Sequence, residues 1–75
     1  MSALTDREKM VLLFVDQRRS IREMAKELYV GIGTIQTTLG KLESEGLIVN
    51  PPTRQARMRR LTQKGTNALK REHLL

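Results

Sequence analysis

Residues 21–48, IREMAKELYVGIGTIQTTLGKLESEGLI, restrict the chain to a narrow set of local structures. Ser20 with Glu23 three residues on is a capping box, which satisfies two otherwise unpaired amides and predicts a helix over about residues 21–29. Gly31 and Gly33 mark a tight turn. Ile35, Leu39 and Leu42 then recur at the spacing of one buried stripe, predicting a second helix over about residues 33–45, closed by Gly46. Residues 47–49 read as the start of a strand. The far side of the second helix carries Thr34, Gln36, Thr37 and Lys41, all able to hydrogen-bond.

The flanking segments extend this unit. Thr5 with Glu8 repeats the capping-box spacing, and Asp6 places a negative charge in the first turn of a helix expected over about residues 5–17. Residues 10–15, MVLLFV, are apolar without a break and point around the whole circumference of that helix. Either the helix is central, or part of its surface meets another chain. Beyond the strand, Asn50, Pro51, Pro52 and Thr53 can continue neither a helix nor a central strand. Residues 57–61 read as a returning strand, and residues 62–74 as a short last helix that carries Ala68, Leu69 and Leu74. In ARMRRL the alternation is imperfect, so the arginines that face outward are not assigned.

With 75 residues the chain makes a single domain, residues 1–75, with a modest core. It has no cysteine, so disulfides, thiolate metal sites and thiol nucleophiles are excluded. The one histidine, His73, lies near the end, and Gly31-Ile32-Gly33 lacks the third glycine and preceding strand of a phosphate loop. No catalytic residue, cofactor or metal ligand is therefore expected. No apolar run exceeds six residues, against the ~20 needed to span a bilayer. No membrane segment or secretory leader is expected, and a cytoplasmic, nucleoid-associated location follows from these readings.

The net charge of +6 is unevenly placed. Residues 1–50 hold seven basic and seven acidic side chains, whereas residues 51–75 hold Arg54, Arg57, Arg59, Arg60, Lys64, Lys70 and Arg71 against Glu72 alone. Such asymmetry points to a polyanion met from one side.

The predicted order is helix, helix, turn, helix, strand, arginine-rich loop, strand, helix: an α+β, mainly helical winged helix-turn-helix. It has a three-helix core, a helix-turn-helix over about residues 20–45, a two- or three-stranded wing over about residues 47–61 and a C-terminal helix over about residues 62–74. Residues 28–48, LYVGIGTIQTTLGKLESEGLI, resemble the DNA-binding domain of GntR-type bacterial regulators, in which a Leu-Gly-Val-Ser turn leads into a helix ending Leu-x-x-Leu-Glu-x-Glu-Gly-Leu-Ile. Leu4-Thr5 and Leu61-Thr62-Gln63-Lys64-Gly65 look more like MarR-type regulators, where Leu-Thr-x-x-Gly follows the wing. Five positions depart from the GntR-type pattern. Tyr29 stands where that turn commonly has Gly, which implies a bulky residue in a left-handed conformation. Gly31 replaces the Ser that caps the recognition helix. Ile32, Gln36 and Thr37 occupy positions that often carry arginine, so guanine-reading arginines do not carry over.

These features lead to an expectation of sequence-specific binding to double-stranded DNA by a prokaryotic or phage transcriptional regulator, with repression by promoter occupancy as the simplest outcome. The base-contacting candidates are Thr34, Gln36, Thr37 and Lys41, with Gln36 suited to adenine N6 and N7 and Thr37 to a base edge or thymine methyl. Arg54, Arg57, Arg59 and Arg60 of the wing would meet the backbone or minor groove, and Arg22 a phosphate. A single module buries only ~600–1,000 Å² on DNA, so a homodimer is expected, in contact through the first and last helices. No small-molecule effector is expected. A winged helix serving protein–protein contact, as in a phage or plasmid accessory factor, would instead carry an acidic or apolar reading helix and a short neutral wing. RNA binding is disfavoured by the scarcity of aromatics, Phe14 and Tyr29 alone.

Overall fold

A computed structural model describes residues 4–50 and 59–75. Four helices and a two-stranded antiparallel sheet follow in the order expected of a winged helix-turn-helix: α1 (Asp6–Asp16), α2 (Ile21–Leu28), α3 (Ile32–Ser44), β1 (Ile48–Val49), β2 (Arg60–Leu61) and α4 (Gln63–Arg71). Both capping boxes form. Thr5 Oγ1 accepts from the Glu8 amide at 3.1 Å while Glu8 Oε1 accepts from the Thr5 amide at 2.8 Å. Ser20 and Glu23 make the same exchange at 3.1 and 3.0 Å.

The helices also stop alike. After each one a residue turns left-handed and the next amide reaches back over the last turn: Arg19 N to Phe14 O, Val30 N to Ala25 O, Leu47 N to Leu42 O and Leu74 N to Leu69 O, at 2.9–3.0 Å. The left-handed residues are Arg18, Tyr29, Gly46 and His73. Only Gly46 adopts this conformation without the ~1–2 kcal/mol that a Cβ adds.

The apolar run of α1 settles into the centre of the molecule. Val11, Leu12, Phe14 and Val15 are buried, and Met10 and Leu13 are partly buried against the same core. Most of the run is thus enclosed within its own chain, with Met10 and Leu13 keeping part of their surface accessible. Met24 and Ala25 from α2, Ile35, Leu39 and Leu42 from α3, Leu47, Ile48 and Leu69 complete the core. Arg18 and Arg19 follow the C-terminal end of α1. Arg18 turns left-handed, and Arg19 lies over the Phe14 ring at 5.0 Å and pairs with Glu27 at 3.1 Å and Glu23 at 3.5 Å, fixing α2 against α1.

The wing's base pairs Ile48 with Leu61 and Val49 with Arg60. The described strands are shorter than residues 47–49 and 57–61, and residues 51–58 lie outside the described part. Three successive carbonyls at the end of α3 are each met by the start of α4. Lys64 Nζ donates to Glu45 O at 2.9 Å, Thr62 Oγ1 to Gly46 O at 2.6 Å and the Thr62 amide to Leu47 O at 3.0 Å. Thr62 Oγ1 also accepts from the Gly65 amide at 3.0 Å, capping α4. Gly65 is buried against the Leu47 carbonyl, and a Cβ at this position would overlap that backbone oxygen.

Since backbone cannot yield as a side-chain tip can, Gly65→Ala should cost about 2–3 kcal/mol. Urea denaturation should give a lowered midpoint at unchanged m-value; a midpoint equal to the parent's would contradict this account of the joint.

Candidate nucleic-acid interface

The buried stripe of α3 determines what its other side offers. With Ile35, Leu39 and Leu42 in the core, the 100° step per residue directs Gly33, Gln36, Thr37, Gly40 and Ser44 outward, and all five are exposed. Two of the five are glycines, and a Cβ at either would meet nothing within 4 Å. The outer face is therefore shallow, with Gln36 and Thr37 rising from it. Thr37 Oγ1 donates to Gly33 O at 3.0 Å, so the hydroxyl proton is committed within the helix while the oxygen's remaining lone pair and the methyl group face out. Gln36 is exposed with both its amide donor and its acceptor. Thr34 is half-buried at the margin, and its carbonyl accepts from Thr38 at 2.9 Å. At the helix start, Gly31 provides no side-chain cap, and Ile32 is 45% exposed.

Lys41 is exposed and reaches along the surface toward α1. Its ammonium lies 2.7 Å from Glu8 Oε2, and the Glu8 side chain is buried. The acid thus accepts from its own helix cap and from α3 at once. The hydrogen bond from Lys41, followed by that from the Thr5 backbone, holds the Glu8 carboxyl below its ordinary value, and the same pair holds the Lys41 ammonium above its own. In the sequence Glu8 reads as a cap and Lys41 as a base-contact candidate, and their pairing is not visible because nothing local joins residues so far apart. The structure engages Lys41 as a strut between α1 and α3.

The remaining candidates are spread around this helix. Arg22 is exposed in the first turn of α2 and carries no ion pair among the described residues. Arg60 is exposed at the start of β2, opposite Val49, and Arg59 beside it is half-buried. Arg54 and Arg57 lie outside the described residues. Thus Thr34, Gln36 and Thr37 share one element, Arg60 sits on the wing base fastened to its far end, and Arg22 stands on the preceding helix. Two exposed side chains near the α2–α3 turn, Ile32 and the 95% exposed Tyr29, were not among the contact candidates. For Tyr29 the sequence signal was present, since a bulky residue at a turn position suited to glycine was already visible. Among the described residues, no helix is long and apolar enough to cross a membrane.

The order of elements and the placement of α3 define the class: a winged helix-turn-helix. Comparison with known proteins agrees. Over 43 residues, 57% of this chain, the sequence is 46% identical to an uncharacterised HTH-type transcriptional regulator of Pyrococcus horikoshii. It is 49% identical to one of Pyrococcus furiosus and 46% identical to one of Pyrococcus abyssi over equal lengths. The match spans 29% of each relative, so the chain corresponds to less than a third of their length. Their names specify the helix-turn-helix and neither the GntR nor the MarR type. No protein-family profile matches the chain, and no solved structure matches it significantly.

The Glu8 pair gives a prediction with a definite sign. A carboxyl whose folded value is depressed stabilises the fold fully above its unfolded value, near 4.5, and that contribution is lost as the pH falls through the depressed value. Glu8→Gln should be less stable than the parent at pH 7, and the gap should narrow steadily below about pH 4.3. Denaturant midpoints across this range check it; a gap independent of pH would contradict the pairing.

Proposed function

We propose that the chain is a sequence-specific double-stranded-DNA-binding transcriptional regulator, and that it represses by occupying a promoter. α3 enters the major groove, and Gln36, Thr37 and Thr34 read base edges. The observation that carries this reading is the outer face of α3, which is shallow and hydrogen-bonding, with the exposed Lys41 beside it paired to Glu8. Gln36 suits the N6 and N7 edge of adenine. Thr37, with its proton committed to Gly33, suits a base amino group or a thymine methyl. Lys41, exposed while paired with Glu8, is the fourth candidate for a base contact and also helps hold the helix at its angle.

Affinity comes from the basic groups around α3. Arg22 meets a phosphate where α2 crosses the backbone, and Arg54, Arg57 and Arg60 meet the backbone or minor groove from the wing, with Arg59 supporting them. The relatives' names, as HTH-type transcriptional regulators, support the regulatory reading. A homodimer on an inverted repeat, with half-sites about one helical turn apart, supplies the area that one module lacks. Its contact would run through α1, where Met10 and Leu13 are partly accessible, and the C-terminal helix.

Selection from a random duplex library tests site, symmetry and spacing together. Gln36→Ala with Thr37→Ala should lose about 1–3 kcal/mol of discrimination per affected base pair and retain most non-specific binding. Arg54→Ala with Arg57→Ala should weaken all duplexes alike and lower the salt slope by about one per arginine. Weak retention without any salt slope would instead favour a protein-contact module. For the dimer, sedimentation of the bound complex should give two chains per selected duplex, and one chain at high micromolar concentration would exclude it.

A further inference from the structure

We infer that Tyr29 is a contact to the DNA backbone, its phenol hydroxyl donating to a phosphate oxygen at the edge of the groove that α3 enters. The inference rests on the duplex-binding reading above and adds a residue that neither the charge pattern nor the helix face identifies.

Neither burial nor backbone preference accounts for a tyrosine at this position. Its side chain is 95% exposed, although it is one of only two aromatics in the chain. Its backbone is left-handed, with φ 56° and ψ 43°, a conformation that glycine adopts freely and an aromatic residue resists. The turn does not release it: the Val30 amide bonds back to Ala25 O at 3.0 Å, fixing the Tyr29 Cα between the two helices. Arg18 and His73 share this conformation, and what sets Tyr29 apart is an aromatic ring left 95% exposed in it, which points to a use outside the fold.

Its position suggests that use. Tyr29 links α2, which carries the exposed Arg22, to α3, which presents Gln36 and Thr37. When a helix-turn-helix sits on a duplex, the first helix crosses the backbone and the first residues of the second meet base edges. The residue joining them therefore stands beside the phosphates in between. Gly31 and Gly33 follow, and a Cβ at either would meet nothing within 4 Å, so nothing from that side of the turn screens the ring. Tyrosine is among the side chains that bond phosphate oxygens, and as a neutral donor it adds affinity without displacing a counterion.

The test uses the full chain, a duplex obtained by selection, and the variants Tyr29→Gly and Tyr29→Phe. Melting temperatures are measured by circular dichroism, and Kd by fluorescence anisotropy at two salt concentrations. Tyr29→Gly should melt about 3–6 °C higher, through relief of the left-handed strain, yet bind about tenfold more weakly. Tyr29→Phe should melt with the parent and bind about fivefold more weakly, and both variants should keep the parent's salt slope. If the parent binds and either variant binds as tightly, the Tyr29 contact is overturned while the duplex-binding reading stands. If the parent retains no duplex, the duplex-binding reading falls, and the contact with it.

Discussion

The joint at which three carbonyls leaving α3 receive three donors arriving at α4 is the constraint on which the other parts depend. Glu45, Gly46 and Leu47 would otherwise expose unpaired acceptors where the chain leaves the helix, and Thr62 would lack a reason to start another. Because one residue, Thr62, closes two of these contacts and caps α4 as well, the end of α3, the base of the wing and the last helix form one assembly. Gly65 lets the two backbones meet at van der Waals distance. The wing therefore leaves the body at a point tied to the end of α3.

Around this joint, α1 acts as a central post. Its apolar run occupies the middle of the core, and its polar flanks hold the other helices: Glu8 to Lys41 of α3, Lys9 to Glu72 at the end of α4. Glu72 is held below its ordinary value by the hydrogen bond from Lys9, in the same sense as Glu8 by Lys41. Arg19, just past the post, does the same for α2 through Glu23 and Glu27. In a small domain, whose core is limited, such charged links assist the orientation of helices that apolar contacts alone leave loosely specified.

What could be read in the sequence was what is decided within a few residues. Both capping boxes span three residues, the α3 stripe spans two turns, and Gly46 announces its own conformation. Tyr29 was legible as a departure for the same reason. The Glu8–Lys41 pair was not, because it joins residues far apart in the sequence whose partners only the packed helices select. Nor was the fate of the 10–15 run, since an all-round apolar helix is consistent with a central place or with a second chain until its neighbours are in position. The helix-facing candidates Thr34, Gln36 and Thr37 followed from periodicity and lie on or beside the outer face. The wing arginines did not resolve, because ARMRRL has no clean two-residue alternation and Arg59 and Arg60 differ in burial.

The commitment of Lys41 to a buried acid has a consequence for a duplex bound as proposed. With its one cation paired to Glu8, α3 presents mainly uncharged groups beside it, and most of the positive charge is left to the parts around it. Ionic strength would then govern how long the protein stays on DNA and hardly alter which stretch it prefers. Dwell time and choice of address could be adjusted independently, the first by substitutions in the wing and the second by substitutions along a nearly bare rod.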